Sequence, residues 1–149
     1  MLELQRELFI HSTSPRTTME LGKSIGRGLA PGDVIALIGE LGAGKTVFTK
    51  GIALGLGIKS DRIVVSPSFT LVNIYFGKIP LYHIDLYRLN SSSELKDLGL
   101  EEFIYGNGVT VIEWAQKFPE ILPQELLEIS FEILGEKKRG IKVKPIGKQ

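Results

Sequence analysis

Residues 39–46 read Gly-Glu-Leu-Gly-Ala-Gly-Lys-Thr, which fits the Walker A pattern Gly-x-x-x-x-Gly-Lys-Ser/Thr of a phosphate-binding loop. The apolar run 33–38 before this stretch is typical of a buried parallel strand, and residues 47–56 after it have the composition of a helix. A chance glycine turn between a strand and a helix is the alternative, and it is disfavoured because both flanks fit. The sequence therefore predicts a site for nucleotide phosphates at this loop.

The residues of the loop have distinct predicted roles. Glycines allow backbone N–H groups to converge on phosphate oxygens, and the following helix directs the positive end of its dipole at the same anion. Lys45 is expected to reach the β- and γ-phosphates, and the Thr46 hydroxyl is expected to bind Mg²⁺. The predicted nucleotide contacts of the loop are Glu40, Leu41, Gly42, Ala43, Gly44, Lys45, Thr46 and Val47.

Length and composition narrow the class of protein. A chain of 149 residues, 43% hydrophobic and 23% charged, is expected to form one soluble domain over residues 1–149. A net charge of +1 gives no overall field that would favour nucleic acid or membrane, and the lack of cysteine excludes disulfides and zinc–thiolate sites. The N-terminus lacks the apolar segment of a signal peptide, and no run approaches membrane-spanning length. We therefore expect a cytoplasmic protein that is monomeric when free.

Two acidic residues follow strand-like segments. Asp85 lies near the end of the run 79–86, and Glu113 follows the apolar run 109–112. Asp85 is a candidate for the Walker B carboxylate, and Glu113 could polarise an attacking water if Asp85 helps to hold Mg²⁺. Trp114 fits either core packing or a cover over the nucleotide. Because the sequence has no Asn-Lys-x-Asp run to recognise guanine, ATP is favoured over GTP.

Residues 66–70 could form a switch. Three hydroxyl side chains fall within five residues, at Ser66, Ser68 and Thr70. Such a loop can sense the γ-phosphate and Mg²⁺, although a plain turn into a strand fits equally well. Arg88 and Arg139 are candidates for an arginine finger, but neither stands out as one. Since such an arginine contributes about 10³–10⁵ in rate, hydrolysis is expected to be slow unless a partner completes the site.

The remaining pattern predicts the fold class. Gly77-Lys78 separates two β-rich runs and suggests a two-residue type II′ hairpin, and residues 127–134 and 141–144 form a second, terminal hairpin. The tail 136–149 carries six basic residues and one acid, which favours a charge-protected sheet edge over an RNA-contacting surface. Together these segments predict the three-layer α/β/α fold of P-loop NTPases, with a mixed sheet that has a parallel core and antiparallel hairpins.

Four motifs in this order resemble the TsaE (YjeE) family of bacterial P-loop ATPases. They are the loop at 39–46, Ser-Pro-Ser-Phe-Thr-Leu-Val at 66–72, His-Ile-Asp-Leu-Tyr-Arg-Leu at 83–89 and Val-Ile-Glu-Trp at 111–114. The resemblance covers nearly the whole chain. It departs in small ways, with Phe69 where a tyrosine is also common and with a short C-terminus.

The resemblance implies a function. The protein would bind and hydrolyse ATP with Mg²⁺ and would be required for threonylcarbamoyl modification of adenosine 37 in tRNAs that read ANN codons. It would act on the TsaB–TsaD transferase complex, which ATP hydrolysis would reset between rounds. It would contact tRNA only indirectly, through that complex, and would not bind a membrane. Thr46 and Glu113 would hold Mg²⁺, with Asp85 in or beside that shell. Catalysis would fall to Lys45, Asp85 and Glu113, with Thr18 near the adenine and Trp114 near the nucleotide.

Two alternatives use the same fold. A small-molecule kinase would need an acceptor pocket and usually a closing lid, and the sequence shows no lid-sized or arginine-rich insertion. A nucleotide-gated assembly module would bind partners without significant catalysis. Turnover with and without partner proteins distinguishes all three functions.

Overall fold

The computed structural model describes residues 6–40, 42–59 and 71–147. Leu41 and the predicted switch residues Ser66, Ser68 and Thr70 lie outside these ranges. The first half of the described chain contains β1 (Leu8–Ser12), α1 (Pro15–Arg27), β2 (Val34–Ile38), α2 (Lys45–Gly55), β3 (Val72–Tyr75) and β4 (Leu81–Asp85). The second half contains α3 (Ser92–Lys96), α4 (Glu101–Ile104), β5 (Val109–Glu113), two 3₁₀ turns (Ala115–Lys117 and Pro119–Ile121), β6 (Leu126–Ile133) and β7 (Arg139–Ile146).

The described strands form one seven-stranded mixed sheet in the order β1-β7-β6-β2-β5-β4-β3. Its centre is parallel, because β2 pairs in parallel with β5 and β6, and β4 pairs in parallel with β5. Its flanks are antiparallel, through the pairs β3–β4, β6–β7 and β1–β7. This arrangement confirms the predicted parallel core with antiparallel hairpins.

The central strand β2 buries both of its faces, which explains its unbroken apolar sequence. Ile35 and Leu37 pack on one face with Phe48 and Ile52 of α2, whereas Val34 and Ala36 belong to a second core on the other face. The second core is closed by α3, α4 and the 3₁₀ turns, with contributions from Leu95, Leu100, Ile104 and Phe118. The result is the predicted three-layer arrangement. None of the helices in the described ranges is both long and apolar enough to cross a membrane.

α1 and α2 pack against each other backbone to backbone. Ser14 caps α1, since its side chain accepts from the Thr17 N–H at 3.1 Å, and Pro15 opens the helix as predicted. At the contact, a Cβ on Gly22 would overlap the Phe48 carbonyl, and a Cβ on Gly51 would overlap the Met19 carbonyl. Only glycine permits so close an approach, so these positions fix the distance between α1 and the helix that follows the glycine-rich loop.

Two sequence-based expectations for the hairpins were wrong. The β3–β4 connection spans residues 76–80, since Tyr75 pairs with Leu81, and Gly77 lacks the positive φ that a type II′ turn requires. The basic segment is also not a sheet edge, because β1 pairs along the outer side of β7. The sequence of β1 is too short to reveal this pairing, which depends on contacts between the two ends of the chain.

We expect Gly51→Ala to destabilise the protein by about 2–3 kcal/mol, because the new methyl group must push α1 and α2 apart at a backbone contact. This cost exceeds the gain of about 1 kcal/mol that alanine brings to a helix. Urea unfolding monitored by circular dichroism measures the change. Gly135→Ala is the matched control, since its Cβ would meet only ordinary contacts at 3.7 Å or more and its φ is not positive. Equal stability of the two variants would contradict the assigned role of the α1–α2 contact.

Candidate functional site

Strand direction brings the predicted site residues to one edge of the sheet. β2, β5 and β4 run in parallel, so their carboxyl ends lie together, and Asp85 pairs in register with Glu113, which in turn pairs with Leu37. The glycine loop (residues 39–46) leaves β2 at this same edge. Side chains on β4 and β5 alternate between faces, and Leu81 and Val109 mark the face toward α2. His83, Asp85 and Glu113 follow these residues at even spacing and therefore share that face.

The glycine loop has the backbone geometry of an anion-binding turn. Gly42 and Gly44 have φ of +81° and +105°, values that L side chains rarely adopt. α2 begins at Lys45, with no side chain capping its N-terminus and no acidic residue in its first turn. A helix N-terminus that lacks both a side-chain cap and an acidic residue favours an anionic ligand through its dipole.

Lys45 lies at the centre of the site and is 5% exposed. Its Nζ donates to the Gly39 carbonyl at 2.7 Å, lies 3.8 Å from Glu113 Oε1 and sits 4.5 Å from the centroid of the Trp114 ring. Burial lowers the pKa of Lys45, while the carboxylates of Glu113 and Asp85 oppose that shift. The ammonium thus has a carbonyl, a carboxylate and an aromatic ring around it where the loop meets α2.

The two strand-end carboxyl groups have different surroundings. Glu113 is 3% exposed, and its Oε2 lies 2.5 Å from His83 Nε2. Asp85 is half-buried, and its Oδ1 accepts from the Tyr87 N–H at 2.9 Å. Burial raises the pKa of Asp85 and neighbouring Glu113 adds to the rise, against opposing effects of the Tyr87 N–H, His83 and Lys45. Two adjacent carboxylates with little solvent favour a cation between or beside them.

Trp114 takes an unusual backbone conformation directly after Glu113. Its φ of 61° is left-handed, which costs a residue with a side chain about 1–2 kcal/mol. The indole packs on the Tyr87 ring at 4.9 Å between centroids. The Lys117 ammonium lies 5.7 Å from the centroid of the same Tyr87 ring. Lys117 also donates to the carbonyls of Tyr87 and Leu89. The indole therefore faces Lys45 on one side and packs against the second core on the other, so both positions considered for Trp114 are partly realised.

A cavity of about 300 Å³ opens above these groups. Its lining contains eight of the residues that the sequence singled out, together with Tyr87, to which the sequence assigned no role. The lining residues are Gly42, Gly44, Lys45, Thr46, Val47, Asp85, Tyr87, Glu113 and Trp114. Oxygen donors, one cation and an aromatic wall therefore meet at the glycine loop.

A second cavity, of about 150 Å³, shares Gly42, Gly44 and Val47 with the first. It is also lined by Pro15 and Thr18 of α1, by Glu136 and Lys137 of the β6–β7 turn, and by Arg139 at the start of β7. Glu136 and Lys137 were not predicted as ligand contacts, whereas Arg139 was considered only as an arginine finger. Thr18 is buried and its Oγ1 lies 2.7 Å from Ser12 Oγ. The two cavities are therefore neighbours at the glycine loop.

Arg139 joins the β6–β7 turn to the glycine loop. Its Nη2 donates to the Gly42 carbonyl at 3.0 Å, and its Nη1 donates to the carbonyls of Gly135 and Lys138 at 2.9 Å each. The sequence contained a signal for this placement. A strand parallel to β2 must end at the same edge as the loop, so recognising β6 as parallel would have placed its following turn there.

Several predicted residues do not line either cavity. The Glu40 side chain is exposed, and the Ala43 methyl is buried in the core while the Ala43 N–H donates to the Glu40 carbonyl at 3.1 Å. Arg88 is exposed and absent from both linings. The predicted contacts of Leu41 and the predicted switch 66–70 fall outside the described residues.

Comparisons with known proteins identify the family of the chain. Residues 12–141 match the family described as "Threonylcarbamoyl adenosine biosynthesis protein TsaE". The chain is 46% identical to the tRNA threonylcarbamoyladenosine biosynthesis protein TsaE of Bacillus subtilis (strain 168), over 95% of this chain and 88% of that protein. It is 45% identical to the protein of the same name from Treponema pallidum (strain Nichols), over 89% and 96% of the two chains.

A solved structure is similar as well. The crystal structure of Bacillus subtilis YdiB superposes with a TM-score of 0.81 at 41% identity, covering 95% of this chain and 87% of that one. Similarity of this extent covers the glycine loop, both strand-end carboxylates and the β6–β7 turn. The chain therefore belongs to the TsaE family of threonylcarbamoyl adenosine biosynthesis proteins.

Proposed function

We propose that this protein binds ATP with Mg²⁺ across the glycine loop, hydrolyses it slowly when alone, and acts on the TsaB–TsaD complex during threonylcarbamoyl modification of adenosine 37 in tRNA. The observation that carries the proposal is the single cavity in which Lys45, Thr46, Asp85 and Glu113 converge. Family membership supports the modification pathway. The ATPase activity and the partner complex are inferred from the residues and from the resemblance of the motifs.

The two neighbouring cavities suggest how a nucleotide would lie. Phosphates would occupy the larger cavity, where the α2 N-terminus and Lys45 offer positive charge. The base and sugar would then extend over Gly42 and Gly44 into the smaller cavity, beside Thr18 and the β6–β7 turn. This placement keeps the prediction for Thr18 and adds Lys137 and Arg139 as residues beside the nucleoside.

The donor set fits Mg²⁺. Thr46, Asp85 and Glu113 supply one hydroxyl and two carboxylates to the same cavity, and hard oxygen ligands are those that Mg²⁺ prefers. Within the described residues no group of three or more His, Cys, Asp or Glu side chains forms a complete metal cage. This agrees with a metal that uses one or two carboxylates and completes its shell with water and substrate phosphates. When bound, Mg²⁺ would neutralise charge on the phosphate oxygens.

The side chains of this protein would mainly position and neutralise charge. Lys45 would exchange the Gly39 carbonyl for phosphate oxygens, a stronger, charge-assisted hydrogen bond. A strand-end carboxylate would accept a hydrogen bond from the attacking water. Trp114 and Tyr87 would shield one wall of the cavity from solvent. Arg139 already donates to carbonyl groups, including that of Gly42, so it reaches the loop without acting as a free arginine finger.

We expect Lys45→Ala to weaken ATP binding at least about tenfold, because a hydrogen bond to a charged group contributes about 1.5–3 kcal/mol. Calorimetry measures the affinity, and fluorescence of Trp114, the one tryptophan of the sequence, gives a second readout at the same place. Lys50→Ala is the control, since Lys50 lies on the same helix and lines neither cavity. Unchanged affinity of the Lys45 variant would exclude the glycine loop as a phosphate site.

Asp85→Asn should separate stability from activity. Because burial raises the pKa of Asp85 in the folded protein, its ionised form destabilises the fold at neutral pH, and this cost disappears as falling pH protonates the carboxyl group. The variant should therefore have a slightly higher Tm than the wild type at neutral pH, with less gain on acidification. It should retain nucleotide binding but lose hydrolysis by about 100-fold or more.

Differential scanning fluorimetry across pH and a phosphate-release assay test this prediction together. Asp97→Asn, at an exposed position, is the control and should change neither quantity. Glu113→Ala should likewise retain binding and lose hydrolysis. Normal rates in both the Asp85 and Glu113 variants would show that the strand-end carboxyl groups do not serve the reaction.

Partner binding should depend on the nucleotide. A γ-phosphate ordering the predicted switch 66–70 would make affinity for TsaB–TsaD higher with a non-hydrolysable ATP analogue than with ADP or with no nucleotide. Surface-immobilised TsaB–TsaD and three nucleotide conditions give the comparison. Lys45→Ala should show one affinity in all three conditions. Three equal affinities for the wild type would exclude nucleotide-gated binding, and lack of binding would exclude this partner.

A further inference from the structure

His83 lies directly beneath the carboxyl groups of the site. It is on β4, two residues before Asp85, and its side chain is fully buried. Its Nε2 lies 2.5 Å from Glu113 Oε2, whereas its Nδ1 is buried and has no hydrogen-bond partner among the described residues. With the Glu113 carboxylate as acceptor, the contact assigns the proton to Nε2. The imidazole thus makes one hydrogen bond, and its second nitrogen has no partner among the described residues.

That arrangement is unfavourable for packing alone. On the same face His83 adjoins Leu81 and Val111, both fully buried in an apolar core, and pairs across to Asn73 of β3. A buried polar atom without a partner costs free energy that an aliphatic side chain at the same place would avoid. The hydrogen bond to Glu113 is therefore the property of His83 that an apolar residue could not replace.

Glu113 needs a fixed neighbour because its side chain is long and its charge is buried. In the free protein two groups hold the carboxylate, Lys45 near Oε1 at 3.8 Å and His83 at Oε2. If Lys45 turns to the phosphates of a bound nucleotide, its hold on Glu113 weakens at the stage when the carboxylate must be in place. His83 comes from the rigid neighbouring strand β4, so its contact does not depend on the glycine loop.

We propose that His83 is a positioning residue that fixes the orientation of the Glu113 carboxylate toward the metal and nucleotide through its Nε2–H. The inference rests on the proposed function, since it assigns His83 a role in that site. Outer-shell partners of this kind typically change metal affinity or activity by about 10–100-fold when removed.

Three substitutions at His83 separate the hydrogen bond from the volume of the ring. His83→Gln keeps a donor at about the distance of Nε2, His83→Asn has an amide too short to reach Glu113, and His83→Leu has no donor. His11→Leu is the control, because His11 is the other histidine of the sequence and is exposed on β1. Mn²⁺ affinity in the presence of ADP, measured by electron paramagnetic resonance, reports the metal site independently of turnover.

We expect His83→Asn and His83→Leu to lose about 10–100-fold in Mn²⁺ affinity and in the rate of hydrolysis, with little change in metal-free ADP affinity. His83→Gln should keep most of the Mn²⁺ affinity and most of the hydrolysis rate. His11→Leu should match the wild type in both measurements. Wild-type Mn²⁺ affinity in the Asn and Leu variants would overturn the proposal. So would a Gln variant as impaired as the Leu variant, because that would show a space-filling role.

A measurement on the unmodified chain covers the case in which the variants do not fold. With two histidines, ¹⁵N spectra of the imidazoles are assignable through His11→Leu. The His83 Nε2–H signal should persist and stay hydrogen-bonded when Mg²⁺ and ADP are added, and its loss would overturn the proposal. If the wild type binds no ADP, the proposed function is wrong. The His83 signal of the free protein shows separately whether the hydrogen bond to Glu113 exists, so the two failures can be told apart.

Discussion

The pairing of β4, β5 and β2 in one direction brings three distant segments of the chain to the same edge of the sheet. Asp85 follows from β4, Glu113 from β5 and the glycine loop from β2, and the register sets Asp85 beside Glu113. A slip of one residue in β4 would turn Asp85 and His83 to the opposite face. The chemistry of the site therefore depends on strand register before it depends on any single side chain.

This register imposes an electrostatic cost on the free protein. Two carboxyl groups lie side by side with little solvent, and the pKa of Asp85 rises as a result, first through burial and then through its neighbour. Lys45 approaches Glu113 at 3.8 Å, which compensates for part of the charge. Under the proposed function, Mg²⁺ and the nucleotide would supply the missing charges when they bind. The same proposal implies that stability and activity oppose each other at Asp85.

The sequence predicted the local elements well because each had a nearby physical signal. The apolar run of β2, the Ser14-Pro15 helix start and the two acidic strand ends all depend on neighbouring residues. It could not predict what depends on distant pairing. The contact of β1 with β7 and the bond between His83 and Glu113 each join residues far apart in the chain. The longer β3–β4 connection was missed because Gly77 suggested a tight turn that its backbone does not make.

The glycine contact between α1 and α2 has a mechanical consequence. Where Gly22 and Gly51 meet, the two backbones are in direct contact with no layer of side chains between them. One helix therefore cannot slide past the other by rearranging side chains. We therefore expect α1 and α2 to move together as one rigid unit. A shift of α2 would therefore be expected to carry α1 with it, and with α1 the residue Thr18, whose hydroxyl contacts that of Ser12 on the edge strand β1.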